Sequence, residues 1–280
     1  MNFRVVLVIV YLAGSSYASW LCPVYRVDGT GQVCEESSEN LAVLESWYAT
    51  IMPVSVENET MSNYVDWDYT VNERLVLIPP VSGCDILICL DLGVSPELTR
   101  ELESFTVNGI EMESRAMLGE YQADSVLNMH TYNCGNGTVS SHGLRPIEEY
   151  RSQFDSEDDF RSAVPETRRF YVDMWVIPCS DEEEIVVQVQ YLIHGWTYIT
   201  GLEPLQFSLC QPLLWNGPLG EGRTVFERPQ TDNPQMWFVE FDGNELLAED
   251  TFYYEVNIRD FSSEIIPTLL VEPVPLVITE

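Results

Sequence analysis

Alternation of hydrophobic and polar positions is clearest in the middle of the chain. In Ile185–Ile193 the apolar side chains Val187, Val189, Tyr191 and Ile193 share one face of an extended chain. A period of two predicts a half-buried strand. The preceding segment, Phe170–Cys179, is as rich in β-branched and aromatic residues, and a short polar run, Ser180–Glu184, separates the two. The pattern predicts a long hairpin with an acidic tip at the centre of a β-rich domain.

Other apolar segments also have the length and boundaries of strands. Leu75–Ile78 and Ile86–Leu90 are continuous apolar runs between turn residues, which predicts strands buried on both sides. Further strands are predicted at Leu205–Cys210, Met236–Phe241 and Phe252–Ile258, the last two as a hairpin. The tail from Glu264 contains several prolines and is predicted as an extended edge.

Helical spacing occurs in three segments. Leu41–Ile51 carries apolar residues three and four apart, which predicts a short helix ending before Pro53. Ser95-Pro96-Glu97 combines a cap, a proline and an acid, which predicts a helix whose inner face runs to Phe105. A third helix is predicted at Ile147–Phe154.

Two shorter motifs refine this picture. Ser156-Glu-Asp-Asp159 is predicted to cap a following helical turn. Asn108-Gly109, directly after Phe105-Thr-Val107, is the preferred dipeptide of a two-residue hairpin.

The order of these segments predicts a mainly β fold. We expect an antiparallel β-sandwich, either one large domain or two sandwich-like halves, with two to four short helices and disulfide stabilisation. The Gly-, Ser- and Asn-rich stretch 133–143 gives the boundary between an N-terminal β-rich half, 19–135, and a C-terminal β-rich half, 144–280, unless these form one continuous domain.

The first residues have the pattern of a secretory signal peptide. Arg4 precedes an apolar run, Val5–Leu12, and Ser16-Tyr17-Ala18 provides a small-x-small cleavage site. We therefore expect residues 1–18 to be removed and the product to be soluble, secreted and extracellular, because the apolar run is too short to span a membrane.

Cysteine content agrees with an oxidising compartment. The chain has seven cysteines, Cys22, Cys34, Cys84, Cys89, Cys134, Cys179 and Cys210. We expect three disulfides of unknown pairing and one leftover thiol, which could link a homodimer. Cys84 and Cys89 are an odd number of residues apart in an extended run and are expected to have different partners. Asn58 and Asn136 begin glycosylation sequons.

The charge of the chain restricts its partners. The formal net charge is −32, and all 13 basic residues are arginines, so the chain has no lysine. A field of this sign repels nucleic acid and anionic membranes, and it attracts cations and basic proteins. The absence of lysine removes the usual acceptor of ubiquitin, and its reason is open.

Motifs for catalysis and cofactor binding are lacking in the sequence. His130, His142 and His194 have no metal-ligand spacing, so each is predicted to be structural or superficial. Pairs of acids could serve a glycosidase, but 45 acidic residues supply such pairs by chance. We therefore expect no enzyme activity, no cofactor and no bound metal.

Three segments are candidate ligand contacts. The first is the acidic tip Asp181, Glu182, Glu183 and Glu184, and the second is Asp155, Glu157, Asp158 and Asp159. The second partly resembles a calcium loop, but Phe160 stands where such a loop needs glycine, so a solvated helix start is favoured. The third is Trp67 with Tyr69, aromatic residues in a polar context that suits a contact with a basic partner, although a strand edge with Trp67 in the core is favoured.

These features together predict a secreted, acidic glycoprotein without enzyme activity. It is expected to bind and sequester a basic extracellular protein, such as a cytokine or, above all, a chemokine, as secreted decoy proteins do. One alternative is an extracellular calcium-binding or matrix protein, although such proteins are often repetitive. Another is a secreted hydrolase with an unrecognised site.

Overall fold

A computed structural model gives the structure of the chain. It describes residues 21–25, 42–57, 65–79, 85–93, 100–120, 139–140, 145–164, 169–178, 183–193, 197–198, 201–202, 205–208, 220–228, 236–241, 244–245, 253–258 and 268–274.

Strands dominate the described residues. In chain order they are β1 Leu21–Tyr25, β2 Val43–Glu57, β3 Val65–Ile78, β4 Ile86–Gly93, β5 Arg100–Val107, β6 Ile110–Glu111, β7 Arg115–Glu120, β8 Val139–Ser140, β9 Arg145–Pro146, β10 Arg169–Ile177, β11 Ile185–Ile193, β12 Thr197–Tyr198, β13 Gly201–Leu202, β14 Leu205–Ser208, β15 Glu221–Glu227, β16 Met236–Phe241, β17 Asn244–Glu245, β18 Tyr253–Ile258 and β19 Thr268–Val274. Two short helices, α1 Ile147–Arg151 and α2 Glu157–Ala163, follow β9. The chain is mainly β, as predicted.

The largest sheet has seven strands in the order β18-β15-β2-β3-β11-β5-β6. Its pairs are antiparallel except for β15 with β2, which run parallel. Alternate residues of these strands point inward, and their side chains form much of the core: Trp47, Ala49, Ile51, Tyr69, Val71, Leu75, Leu77, Phe105, Val187, Val189, Tyr191, Ile193 and Phe226 are all buried. This alternation is what the period of two predicts for one-sided burial.

Three further sheets accompany it among the described residues. A six-stranded sheet has the order β8-β1-β4-β10-β7-β9, and a four-stranded sheet has the order β14-β19-β16-β17. The small pair β12-β13 forms the third. Only β1 with β8 is parallel within these three sheets. The seven-stranded and six-stranded sheets each combine strands from either side of residues 135–144, whereas the four-stranded sheet contains only strands that follow them. The division there into two halves stays a prediction.

Aromatic pairs connect the seven-stranded sheet to the other two large sheets. Ring centroids are 4.0 Å apart for Phe105 and Trp175, 6.3 Å for Trp47 and Phe207, and 5.4 Å for Phe226 and Trp237. Phe105 and Trp175 are stacked with an interplanar angle of 5°, and the Trp175 indole nitrogen donates to the Met112 carbonyl at 3.3 Å. Such ring pairs each add ~0.5–1.5 kcal/mol beyond their buried area.

Three local predictions are confirmed: the helix that begins at Ile147, the cap at Ser156 and the turn at Asn108-Gly109. Helix α1 starts at Ile147, and its Tyr150 packs edge-on against Phe154 with a centroid distance of 5.4 Å. Helix α2 is capped by Ser156, whose hydroxyl accepts from the Asp159 amide at 3.2 Å. Asn108 and Gly109 have φ of 50° and 77° and join β5 to β6, as the Asn-Gly dipeptide predicts.

Two predicted helices are wrong. Leu41–Ile51 is predicted as a helix, but its described part lies largely in strand β2. The helix predicted from Ser95 is contradicted over 100–107, which forms strand β5, whereas its start at 95–97 lies outside the described residues. In both segments the apolar residues fit both the helical period of about 3.6 and the strand period of two. Trp47 fits either period, because it is three residues from Leu44 and two from Ala49. Burial of both Trp47 and Ala49 on one face requires the extended chain.

Both long predicted hairpins are also wrong in their pairing. Strands β10 and β11 exist where expected, but β10 pairs with β4 and β7, whereas β11 pairs with β3 and β5. The chain therefore changes sheets between them. Likewise β16 pairs with β17 and β19, and β18 pairs with β15. Strand β10 has buried residues on both of its faces, such as Met174 and Trp175. This burial suits its position between β4 and β7, in the interior of the six-stranded sheet.

The proline-containing tail differs from its prediction as well. Strand β19 lies between β14 and β16 rather than at an edge, and Val271 is fully buried. Pro273 is near its end, where β19 pairs with the first residues of β16. No helix in the described part of the chain has the length and hydropathy required to cross a membrane.

Candidate functional site

The outer face of the seven-stranded sheet carries two polar rows across four strands. Register places Thr106 opposite Gln188, Gln188 opposite Arg74, and Arg74 opposite Tyr48. The second row consists of Ser104, Gln190, Asn72 and Thr50. These side chains alternate with the buried residues of the same strands, so the apolar packing of the inner face fixes their positions.

The two rows line a depression of about 330 Å³, called here the central depression. Thr70 and Val76 lie on the same face of β3, just beyond the two ends of the central depression. They are only 7% and 6% exposed. Asn72, between them, is exposed. This face of β3 is therefore covered near Thr70 and near Val76 and is open at Asn72. The central depression is this open part, bounded by the two covered parts.

Several lining side chains of the central depression are held in place. The Tyr48 hydroxyl donates to Glu221 at 3.1 Å, and the Arg74 guanidinium lies 5.9 Å from the centre of the Tyr48 ring. The Gln190 amide donates to Glu103. Partial burial raises the pKa of Tyr48, and the bond to Glu221 raises it further, so Tyr48 stays a neutral donor at ordinary pH.

Exposed acids flank the central depression on the side of β5 and β6. We call Glu101, Glu103, Glu111, Glu113, Glu183 and Glu184 the acidic rim; all six are exposed. Glu111 is opposite Thr106, so it continues the first polar row. Within the described ranges, none of the six carboxylates forms an ion pair with an arginine. The rim therefore keeps its negative charge unneutralised.

Asn108 links the predicted acidic tip to the β5–β6 hairpin. Its backbone amide donates to the Val186 carbonyl at 2.8 Å, and its side-chain oxygen accepts from the Val186 amide at 2.8 Å. Glu183 and Glu184 come directly before β11 and thus lie beside this turn. The structure therefore brings two of the four predicted tip residues together with acids that the sequence analysis did not select. Asp181 and Glu182 lie outside the described residues.

The second predicted acidic segment is the start of helix α2. Asp155, Glu157, Asp158 and Asp159 are all exposed. Glu157 pairs with Arg151 at 3.8 Å and with Arg161 at 3.3 Å. Asp159 accepts from the Ser156 hydroxyl at 2.6 Å. Two of the four acids thus stabilise the helix, as the favoured solvated helix start predicts. Among described residues, no group of three or more potential ligands could hold a metal ion.

The aromatic candidates Trp67 and Tyr69 lie in strand β3, opposite Ser55 and Pro53. Tyr69 is 4% exposed and belongs to the core, which excludes its ring from an exposed contact surface. Burial, with a smaller contribution from the charge of Asp68, raises the pKa of Tyr69 far above its usual range. The favoured alternative, a strand edge with a core Trp67, stays a prediction, because the side chain of Trp67 lies outside the described residues.

Several sequence-based candidates fall outside the described residues. These are both sequons, the three histidines, and Cys34, Cys84, Cys134, Cys179 and Cys210. Cys22 and Cys89 lie in β1 and β4, where they are Cα partners.

The residues of the central depression were missed for a clear reason. Gln188 and Gln190 were placed on the polar face of β11, and this signal was correct. Tyr48 was assigned to a helix, and Arg74 precedes an apolar run that was interpreted as buried on both sides. Without the pairing of β2, β3, β11 and β5, no sequence signal places these side chains in one row.

Comparisons with known proteins identify no relative that informs the function. No protein-family model matches the chain, and no curated protein sequence matches it either. A proposed nutrient-binding protein from Legionella pneumophila is 12% identical, with 90% of this chain and 69% of that chain covered and a TM-score of 0.45.

Two further solved structures are also similar over much of this chain. The M1 zinc metallopeptidase from Deinococcus radiodurans is 9% identical, with 82% of this chain and 42% of that chain covered and a TM-score of 0.32. Yeast LTA4 hydrolase in complex with bestatin is 9% identical, with 85% and 31% covered and a TM-score of 0.36. This chain spans less than half the length of either, and similarities at these TM-scores carry no argument about function.

Proposed function

We propose that this protein is a secreted, glycosylated binding protein without enzyme activity, which captures a basic extracellular protein. The ligand class that suits it best is the small basic cytokines, chemokines above all. The signal-like residues 1–18 support secretion, and the sequons at Asn58 and Asn136 support glycosylation. We further propose that the sheets pack as a β-sandwich, in which the Phe105–Trp175 stack joins two inner faces.

The observation that carries this proposal is the acidic rim. Its six residues stand on, or directly beside, strands β5, β6 and β11, and buried side chains of β5 and β11 fix the backbone of these two strands. A group of unneutralised acids attracts a basic partner from a distance and orients it on approach. Ile110, 68% exposed between Gly109 and Glu111, adds an exposed apolar side chain to the β5–β6 hairpin.

Capture from extracellular fluid at low salt tests the proposal. The purified chain is immobilised, and the retained proteins are identified with and without a calcium chelator. We expect a basic protein to be retained in both cases and released by salt. Retention of calcium or mineral alone would favour the matrix alternative, and turnover of a glycan or ester panel would favour the hydrolase.

A further inference from the structure

The central depression has a composition that its structural role does not require. A solvated sheet face tolerates lysines and glutamates, yet the eight side chains that line this one are three carboxamides, three hydroxyls, one arginine and one tyrosine. These are Asn72, Gln188, Gln190, Thr50, Ser104, Thr106, Arg74 and Tyr48. The other two lining residues, Glu73 and Val189, are buried, with side chains on the inner face of the sheet. In a chain with 45 acidic residues, the floor itself therefore presents no carboxylate, although Glu103 and Glu221 accept hydrogen bonds from two of its side chains. Its volume of about 330 Å³ is at the lower end of the size of ligand sites, roughly 300–1,000 Å³.

The eight side chains on the floor of the central depression offer both hydrogen-bond donors and hydrogen-bond acceptors. Carboxamides and hydroxyls both donate and accept, whereas the Arg74 guanidinium only donates. Gln188, Thr50 and Thr106 have no side-chain hydrogen bond to another described residue, so their groups are open to a ligand. A ligand that matches this floor must itself offer closely spaced groups that donate and accept. Neighbouring hydroxyls on a sugar ring have this property.

The charges at the wall and the rim decide between charged and neutral ligands. Glu103 and Glu221 each accept a hydrogen bond from a lining side chain, so an anionic ligand would meet two carboxylates as it entered. Arg74 lines the depression itself, so a cationic ligand would meet a fixed positive charge. Both charged classes are therefore disfavoured relative to a neutral one.

From this combination we infer that the central depression is a binding site for a neutral saccharide. Arg74 and the carboxamides hydrogen-bond the sugar hydroxyls, the threonine and serine hydroxyls complete the contacts, and Tyr48 forms part of the wall. This site is distinct from the capture of a basic protein at the acidic rim, and neither activity requires the other. A glycan carried by a protein partner and a free sugar present the same hydroxyls.

A matched series of sugars tests the inference. The full chain is titrated by calorimetry and by saturation-transfer NMR with glucose, galactose and mannose, and with the uronic acid and the amino sugar of each. We expect saturable binding of at least one neutral hexose, with a dissociation constant at least tenfold lower than that of its charged counterparts. Absence of saturable binding by every neutral sugar, or tighter binding of a uronic acid, would overturn the inference.

Two arginines on the same face provide a matched control. Arg74 and Arg223 are both opposite Tyr48, on either side of it, but only Arg74 lines the central depression. Arg74→Gln should weaken sugar binding at least tenfold, and Arg223→Gln, with the same change in charge, should alter it less than twofold. Thr106→Val, which keeps shape and strand preference, should also weaken binding. Equal effects of the two arginine variants, with unchanged melting temperatures, would show that the sugar binds elsewhere.

Discussion

The indole nitrogen of Trp47 donates to the carboxyl group of Glu73 at 2.9 Å in the core of the seven-stranded sheet. The hydroxyl of Tyr191 donates to the other oxygen of the same carboxyl group at 2.7 Å. Glu73 is 2% exposed, so three neighbouring strands, β2, β3 and β11, share one buried polar cluster. A buried acid is costly unless its oxygens accept hydrogen bonds, and here the sheet supplies the donors.

Removal of one donor from this cluster should destabilise the fold. We expect Tyr191→Phe to lower the free energy of unfolding by about 1–3 kcal/mol, because a buried carboxyl group loses one of its hydrogen bonds. Glu73→Gln should cost at least as much, since an amide has one acceptor oxygen for two donors. Urea unfolding followed by tryptophan fluorescence measures both. Tyr48→Phe on the outer face is the control, and an equal loss there would contradict the role of burial.

The Asn108 turn gives a second prediction about stability. Asn108→Ala loses the side-chain acceptor of the Val186 amide and places alanine at a φ of 50°, so it should cost about 1–3 kcal/mol. Asn108→Gly loses the same bond but relieves the backbone, so it should cost less. Thermal unfolding of the two variants separates the two effects. Equal stability of the variants would mean that backbone conformation contributes nothing at this turn.

Asp173 predicts a dependence of stability on pH. Burial raises the pKa of its carboxyl group from 3.8, and a hydrogen bond to Ser114 lowers it in part. The folded state then holds the proton more tightly than the unfolded state, so this group makes stability fall as pH rises through the interval between the two pKa values. Asp173→Asn should therefore stabilise the fold at pH 7, and the gain should vanish below about pH 3.8.

Urea midpoints measured for Asp173→Asn and the unchanged chain across this pH range test the sign. Glu113→Gln, an exposed acid, is the control for the general loss of negative charge. A gain from Asp173→Asn that grows toward acid would contradict the assignment to a raised pKa.

The sequence predicted the class of the fold and many strands because one-sided burial leaves its period in the residues. In β11, all four residues predicted to face inward are buried. The Asn-Gly turn and the Ser156 cap were also predictable, since each depends on a few adjacent residues.

Strand pairing was not predictable, because it depends on residues far apart in the chain. The pairing of β2 with β15 joins Trp47 to Gly222, and no local pattern encodes this contact. The central depression consists of single side chains from four such strands, so it was beyond sequence reasoning for the same reason. The acidic tip could be predicted as charged, but its position beside the β5–β6 hairpin required the Asn108–Val186 contact.

Strand register also predicts one disulfide. Cys22 and Cys89 are Cα partners in the antiparallel strands β1 and β4. Such partners lie about 4.5–5.5 Å apart, within the ~4.4–6.8 Å that disulfides span. We expect peptide mapping of the oxidised chain under non-reducing conditions to find these two cysteines linked. Cys22→Ser and Cys89→Ser should each cost about 2–5 kcal/mol, and the double variant no more than either.

Reduction of the disulfides and removal of metal should affect the fold differently. If the predicted disulfides stabilise the fold, a reducing agent should lower the melting temperature sharply, and a chelator should leave it nearly unchanged. A large effect of the chelator with little effect of reduction would contradict this expectation. In the peptide mapping, linkage of Cys22 to a cysteine other than Cys89 would contradict the predicted pairing.

The last prediction concerns how charge drives the capture of a basic partner. With a net charge of −32, attraction should dominate the encounter, and the Debye length falls from ~30 Å at 0.01 M salt to ~8 Å at 0.15 M. Association should therefore slow steeply with salt, while dissociation changes less. Two variants with the same change in charge locate the contact: Gln in place of Glu101, Glu103, Glu111 and Glu113, and Gln or Asn in place of Glu148, Glu149, Asp155 and Asp158.

Stopped-flow association with the captured basic protein compares these two variants at low salt. If the acidic rim is the contact, its variant should associate at least tenfold more slowly than the helix variant, because both have lost four charges and only position differs. A slower helix variant would assign the contact to the region of α1 and α2. Equal slowing would mean that net charge alone drives the encounter and that the acidic rim has no special part in recognition.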